Sequence, residues 1–405
     1  MSNDEGTFGK RVKAARERAG LTRPVVGQLL GKSAEWVKAV ENGRLQIPRI
    51  HVLMRLGEII GVSDISELVG DAGMSAVTYN KSSHHALADV RRALTAYHFG
   101  EISDEPETVD SLEHRVSRAW KVWHGTPYHR TGVSELIPDL ISDLRQAERA
   151  YEGNERRKVR KLLAQAYHIS QLFLSFQPAA EFVTLTGDRA MTAAQDADSP
   201  RSIAAAAWYM SHVFRDAGEA HESRVDLAVR AASTLDPDAS REDLAEFGLL
   251  QLACALSFAK IGRSGDAHHY WDKADRIARK LGDGYSHPWL LFGRGMVDAY
   301  AITINLDSVS SGSAVEAAGK VDFNSIPSLT RQSFHMIESA RAYRLQKEDV
   351  AVMHLLSKAY AKSPETVKFN LFTRSAVNDL ATRGNALVRA DAEHLAREIG
   401  VTPHS

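Results

Sequence analysis

Ala34, Glu35, Lys38 and Ala39 recur at helical spacing, and their side chains carry the chemistry that reads a base pair. A carboxylate can accept from cytosine N4, an ammonium can donate to guanine, and alanine methyls can touch the thymine methyl. Around them stand Thr22, Arg23, Lys32, Ser33, Asn42 and Arg44, whose donors suit phosphate oxygens and would fix register without specifying sequence. The guanidinium of Arg23 can hold phosphate or guanine through two parallel bonds. Charge concentrates in the same place. From Phe8 to Arg55 there are 11 Lys/Arg against 3 Asp/Glu, while the rest of the 405-residue chain has 39 against 48, for a net charge of -1. A basic head on an acidic body is what a DNA-reading unit joined to a non-DNA unit should show.

Those residues need helices to position them, and the head supplies the signals. The spacing predicts a first helix over Thr7–Ala19 with Phe8, Val12 and Ala15 inward, closed by Gly20. Thr22 is the N-cap candidate of a second helix, Pro24 sits in its first turn, and Val25, Val26, Leu29 and Leu30 form its buried side. Gly31 breaks that helix and Ser33 caps a third, with Val37 and Val40 inward, Trp36 at the edge and Gly43 as the stop. A fourth helix follows Pro48 with Ile50, Leu53, Leu56, Ile59 and Ile60 as its stripe. Gly61 ends it, and Asp64 can cap a fifth, with Ile65, Leu68 and Val69 inward. This is a helix-turn-helix arrangement, which lays its third helix in the major groove.

On Phe8, Arg16, Leu21-Thr22, Leu29, Gly31, Val37, Glu41, Gly43, Pro48, Leu56 and Gly61-Val62, the stretch resembles the lambda-repressor-like, five-helix DNA-binding domain of the xenobiotic-response-element (XRE) family. The resemblance implies an Arg16–Glu41 structural pair and binding of double-stranded DNA as a homodimer on near-palindromes. Two positions depart from the family. Arg23 stands where glutamine is usual. Gly27 stands where alanine is common, and close packing against the third helix is the expected reason, since glycine in mid-helix costs about 1 kcal/mol.

Residues 1–70 are thus expected to form the DNA-binding domain, 71–85 a linker, and 86–405 a TPR-like helical-repeat sensor and dimerisation domain. After helices over Ala86–Phe99 and Val109–Trp123, helical pairs are predicted at Glu155–Phe176 with Pro178–Asp196, Pro200–Ala217 with Glu219–Leu235, and Arg241–Ile261 with Gly265–Leu281. Three more are predicted at His287–Leu306 with Ser308–Val321, Pro327–Leu345 with Glu348–Lys362, and Pro364–Arg383 with Asn385–Gly400. The repeat length is near that of TPR units, so the fold class is all-α, a five-helix head followed by a TPR-like α-solenoid. Val90-Arg91-Arg92-Ala93-Leu94, Leu136-Ile137-Pro138-Asp139-Leu140 and Ile326-Pro327-Ser328-Leu329 are similar to stretches in the helical-repeat region of actinobacterial XRE-type regulators. The layout is similar in architecture to the RRNPP peptide-sensing regulators. A solenoid's concave face is a natural groove. Trp208, His212, Arg215, Trp289, Arg294, Asn370, Arg374 and Asn378, with Asp298, Arg331 and His335, are candidates to hold a peptide or small-molecule effector there.

Catalysis is not signalled. Seventeen histidines include no His-Glu-x-x-His, and His84-His85 and His268-His269 are adjacent and so cannot share a helix face. No cofactor or metal is expected. The single cysteine, Cys254, reads as a small core residue and fits a reducing cytosol. The polar start is not a secretory leader, and no apolar run approaches the ~20 residues of a membrane span, so a cytoplasmic location is expected. Two functions remain: a homodimeric transcription regulator whose body senses an effector, and a DNA-addressed scaffold whose body docks a protein partner.

Overall fold

The computed structural model describes residues 7–45, 50–62, 64–70, 81–97, 105–217 and 221–401, without the side chains of 50, 51, 214–217 and 221. The expected linker falls largely outside them. The described residues are all-helical, with one isolated antiparallel bridge between Ser286 and Gly293.

The head is five helices: α1 (Phe8–Arg18), α2 (Arg23–Leu29), α3 (Ala34–Glu41), α4 (Ile50–Ile59) and α5 (Ser66–Val69). Val12, Ala15, Val26, Val37, Val40, Leu53, Leu56, Ile60, Leu68 and Val69 form its core. Of the four apolar residues expected on the buried side of α2, Val26 is buried and Leu30, which follows the helix as its C-cap, partly so. Val25 and Leu29, expected inside, are 40% and 51% exposed. A seven-residue helix held between a turn and one neighbour has a narrow inward face, and two of the four lie beyond it. Thr22 occupies the N-cap of α2 but its hydroxyl makes no capping bond. Asp64, by contrast, accepts from the Ser66 N–H at 2.8 Å, as its position predicts.

The body begins with α6 (Leu87–Thr95), α7 (Val109–Gly125), α8 (His129–Ser134) and α9 (Ile137–Ala150). Pairs follow: α10 (Gly153–Leu174) with α11 (Ala180–Asp196), α12 (Pro200–Ala217) with α13 (His221–Ala232), and α14 (Arg241–Lys260) with α15 (Ser264–Leu281). Next come α16 (Arg294–Asp307) with α17 (Ser311–Lys320), and α18 (Leu329–Leu345) with α19 (Asp349–Lys362). The chain finishes in α20 (Pro364–Phe369), α21 (Leu371–Arg383) and α22 (Ala386–Glu398). Caps define the starts: Thr108, Ser240, Ser328 and Asn385 each accept a backbone N–H two or three residues ahead. The alanines of 204–207, with Ala228, Ala231, Ala232, Ala274 and Ala278, are buried where helices approach closely.

Two expected helices differ. The segment 287–293 is a loop and α16 starts only at Arg294, because Pro288 disfavours helical backbone at His287 and Gly293 lies where an added Cβ would meet the Tyr285 carbonyl at 2.2 Å. Near the C-terminus the helix breaks at Asn370, whose side chain accepts from the Thr373 N–H at 3.1 Å and starts α21 afresh.

The first helices of successive pairs, α10, α12, α14, α16 and α18, pack on one another as an inner row. Helix α7 lies across that row, touching both α10 and α18. His124 of α7 bonds the Ser328 hydroxyl and the Trp289 carbonyl, and the Thr330 hydroxyl donates to the Trp123 carbonyl at 2.6 Å. The concave side expected to be an open groove is therefore crossed by the chain's own helix.

Candidate nucleic-acid interface and the inner face of the body

The placement of α3 rests on a buried ion cluster. Arg16 Nε donates to Glu41 Oε1 at 2.5 Å, and its Nη1 reaches the Leu21 carbonyl at 2.7 Å. Arg23 Nε donates to Glu41 Oε2 at 2.7 Å. The pair expected from Arg16 and Glu41 is present, but Arg23 joins it and ties the start of α2 to the end of α3. Burial opposes ionisation of Glu41, and the hydrogen bonds from Arg16 and Arg23 outweigh it, so its pKa is lowered. Arg11 closes α5 by donating to the Leu68 and Val69 carbonyls at 2.8 and 2.6 Å.

Two glycines set the helix spacings. A Cβ on Gly27 would lie 2.8 Å from the Lys32 carbonyl oxygen, which accounts for glycine inside α2 by close approach to the turn that leads into α3. Gly9 was not singled out by its sequence. Its added Cβ would lie 2.4 Å from the Glu41 carbonyl oxygen, where α1 crosses the end of α3.

On α3, Glu35, Lys38 and Asn42 are exposed at i, i+3 and i+7 and form one stripe, with Ala34 partly buried at its flank. Ala39 departs from expectation: it is 3% exposed and belongs to the core side. At about 100° per residue Ala39 falls beside the stripe on the helical wheel, so its burial comes from the tertiary fold and not from the period of the helix. Thr22 and Arg44 are exposed beside the stripe, and Lys32 is half-buried. Ser33 accepts from the Trp36 N–H at 3.1 Å, the cap its position predicts. Ser33 also meets the body: a Cβ on Gly262, in the turn between α14 and α15, would lie 2.2 Å from its Oγ.

The effector candidates do not all converge on one place, although Arg331 and His335 of α18 both meet Tyr300. Trp208 is fully buried with its ring edge-on to His212 and Tyr300, a packing position, although its indole N–H has no partner. Trp289 stands in the 287–293 loop beside Trp120 and Tyr209. Arg294 is held by Asp298 at 3.0 Å and Asp275 at 3.1 Å. Asn370 is the cap of α21, and Arg374, 9% exposed, donates to the Ile399 carbonyl at 3.1 Å. Asn378 lies further along α21 with an unpartnered buried carbonyl oxygen. The side chain of Arg215 lies outside the described residues.

Other histidines serve the fold. His84, expected in the linker, is 6% exposed and packs into the body, its backbone N–H donating to Gln177 at 2.8 Å. Glu365 of α20 accepts from the Arg130 and Thr131 N–H groups at 2.5 and 3.2 Å and from the Thr131 hydroxyl at 2.6 Å, satisfying the open start of α8. Burial opposes its ionisation, yet hydrogen bonds from His84 and Thr131 bring its pKa down to about 2. Cys254 is buried, and burial pushes its thiol up to about 12. Among the described residues no group of three or more His, Cys, Asp and Glu could hold a metal, and no helix is long and apolar enough to cross a membrane.

Residues 7–68 match a helix-turn-helix domain family. No curated protein matches the chain. Among solved structures, the chain is similar to the apo form of the competence regulator ComR from Streptococcus vestibularis, at 11% identity over 83% of this chain and 97% of that one, with a TM-score of 0.33. Bacillus thuringiensis PlcR in complex with the peptide PapR7 and DNA matches at 10% identity over 86% and 98%, with a TM-score of 0.31. A signal transduction ATPase with a tetratricopeptide repeat sensor from Pyrococcus horikoshii matches at 13% identity over 98% and 66%, with a TM-score of 0.40.

Proposed function

We propose that this chain is a sequence-specific transcription regulator of the XRE type that binds operator DNA as a homodimer and receives an effector in its helical body. The observation that carries the reading is the exposed Glu35–Lys38–Asn42 stripe on α3 within a matched helix-turn-helix domain. Glu35 and Lys38 face base edges, with Ala34 at the groove wall. Asn42, Arg44, Thr22 and Lys32 meet phosphates, and Ser33 orients the helix by its cap. Arg23 keeps its terminal nitrogens for a phosphate while its Nε stays on Glu41. Ala39, being buried, drops out of the reading set.

A head of this size covers only a half-site, and a dimer doubles the contacts. The division at residues 70 and 86 is part of this proposal, as is the absence of catalysis. Effector binding acts by favouring one body arrangement over another, and so one placement of the heads. The contact between Ser33 and Gly262 lies on the path, because it touches the residue that caps the reading helix.

Selection of bound sequences from a random duplex pool, followed by gel shifts, tests the reading. Lys38→Ala is expected to lose about 1–3 kcal/mol on the selected site and to relax one base position. Arg44→Ala is expected to weaken all sequences alike and lower the salt slope by about 1. Recovery of no preferred sequence by the intact chain, or a Lys38→Ala variant that binds unchanged, refutes the placement of α3.

A further inference from the structure

The inner face of the body gathers polar groups that the fold leaves unspent. His168 of α10 and His335 of α18 are 1% and 0% exposed, and neither ring nitrogen of either has a partner. The Tyr209 hydroxyl of α12 makes no hydrogen bond among the described residues, though the residue is 2% exposed. Arg331 of α18 is half-buried and donates to the Tyr300 hydroxyl at 3.2 Å, and no carboxylate pairs with it among the described residues. An interior normally satisfies such groups, and each one left open costs about 1–3 kcal/mol.

These groups surround flat rings held in a common orientation. Tyr209 and Trp289 lie 8° from parallel with centroids 6.5 Å apart. His168 lies 24° from Tyr209 at 4.4 Å and 18° from Trp289 at 6.1 Å. Trp120 of α7 adds a fourth ring 4.9 Å from Trp289. Trp120 is tilted 34° from Trp289, whereas Tyr209, Trp289 and His168 come from three separate elements, so a flat guest stacked on one of these three is aligned with the other two. Burial brings the His168 and His335 imidazoles down to about 3, so both are neutral and offer one donor and one acceptor each. Arg331 is then the single fixed charge, and it matches one negative charge on a guest. Trp289 and Arg331 are the partly exposed members and mark the side of entry.

We propose that this cluster is a binding site for a small planar aromatic monocarboxylate, its carboxylate on Arg331 and the Tyr209 hydroxyl and its ring against Trp289, Tyr209 and His168. The proposal deepens the effector reading above and rests on it only for the link to DNA. Of the effector candidates named from sequence it retains Trp289, Arg331 and His335 and leaves Asn370, Arg374 and Asn378 aside.

Calorimetry on the full chain without DNA tests the site, with cinnamate, its neutral amide cinnamamide, and the saturated analogue 3-cyclohexylpropanoate. Cinnamate is expected to bind saturably and at least 10-fold more tightly than either comparison compound. Arg331→Gln is expected to erase the preference for carboxylate over amide, and Tyr209→Phe, which removes only a hydroxyl, to weaken cinnamate several-fold while leaving the thermal melt in place. Should Arg331→Gln fail to fold, Tyr209→Phe and the amide comparison decide. The proposal is overturned if the folded chain shows no saturable cinnamate heat up to millimolar concentration, or binds acid and amide alike. Cinnamate binding by a chain that recognises no DNA sequence would sink the regulator reading and leave the site standing.

Discussion

Glu41 illustrates how one residue carries the head. It is 4% exposed and takes donors from two arginines on two helices, so its loss strands a buried guanidinium. Breaking a buried pair from one side costs about 3–5 kcal/mol. Glu41→Ala is therefore expected to unfold the head selectively, seen as a low-temperature transition separate from the body's in calorimetry. The pH sense follows from the lowered pKa: the carboxylate's contribution is complete above the ordinary carboxylate range and is lost as pH falls through its depressed folded value. Glu41→Gln should flatten that acid limb in melts followed against pH. The Arg16–Glu41 pairing was legible from the family resemblance. The third member was not, because Arg23 looks like a free DNA contact until α2 and α3 are seen to cross.

At the scale of elements, helix spacing is set by backbone approach as well as by apolar stripes. Gly9→Ala would gain about 1 kcal/mol of helix propensity in α1. Its Cβ would nevertheless press on the Glu41 carbonyl at 2.4 Å, a backbone atom that cannot swing away, and overpacking of this kind costs about 1–3 kcal/mol. A net fall in head stability is expected in urea melts, and a rise would show that α1 can shift outward freely. The caps at Ser33 and Asp64 were readable because a hydroxyl or carboxylate acts on an N–H two or three residues ahead, while Thr22 takes the cap position without the bond. The 287–293 loop was not. Its apolar run of Trp289, Leu290, Leu291 and Phe292 mimics a buried helix, and only the tertiary fold uses it to carry Trp289 inward.

Across the whole molecule, two of the contacts that join distant parts of the chain lead to direct tests. Glu365 fastens α20 to α8 across 234 or more residues of sequence. Its pKa of about 2 against an ordinary 4.5 means the clamp's contribution is intact above pH ~4.5 and disappears as pH drops toward 2. Glu365→Ala is expected to destabilise the body by about 3–5 kcal/mol at neutral pH, with a much smaller penalty near pH 2, read from denaturant melts at both values. The second contact is Gly262 on Ser33. Gly262 has a left-handed backbone with φ +79°, which asparagine adopts more readily than most side chains, so Gly262→Asn adds bulk against the head at a lower strain than other substitutions would. If the contact restrains the head, gel shifts on a selected site should show several-fold tighter binding, and unchanged or weaker binding would remove it from the signalling path.

By itself the sequence determined the all-helical class, the five-helix head, the paired helices of the body and the exposed Glu35–Lys38 face of α3, because caps, glycine stops and 3.6-residue periodicity act over one or two turns. Tertiary structure alone decided that Ala39 turns inward, that Arg23 is tied to Glu41, and that α7 fills the inner face of the solenoid. It also brought His168, Tyr209, Trp289 and Arg331 together from four separate elements. Each of these depends on which surfaces meet across tens to hundreds of residues, and local patterning carries no record of a partner so far away.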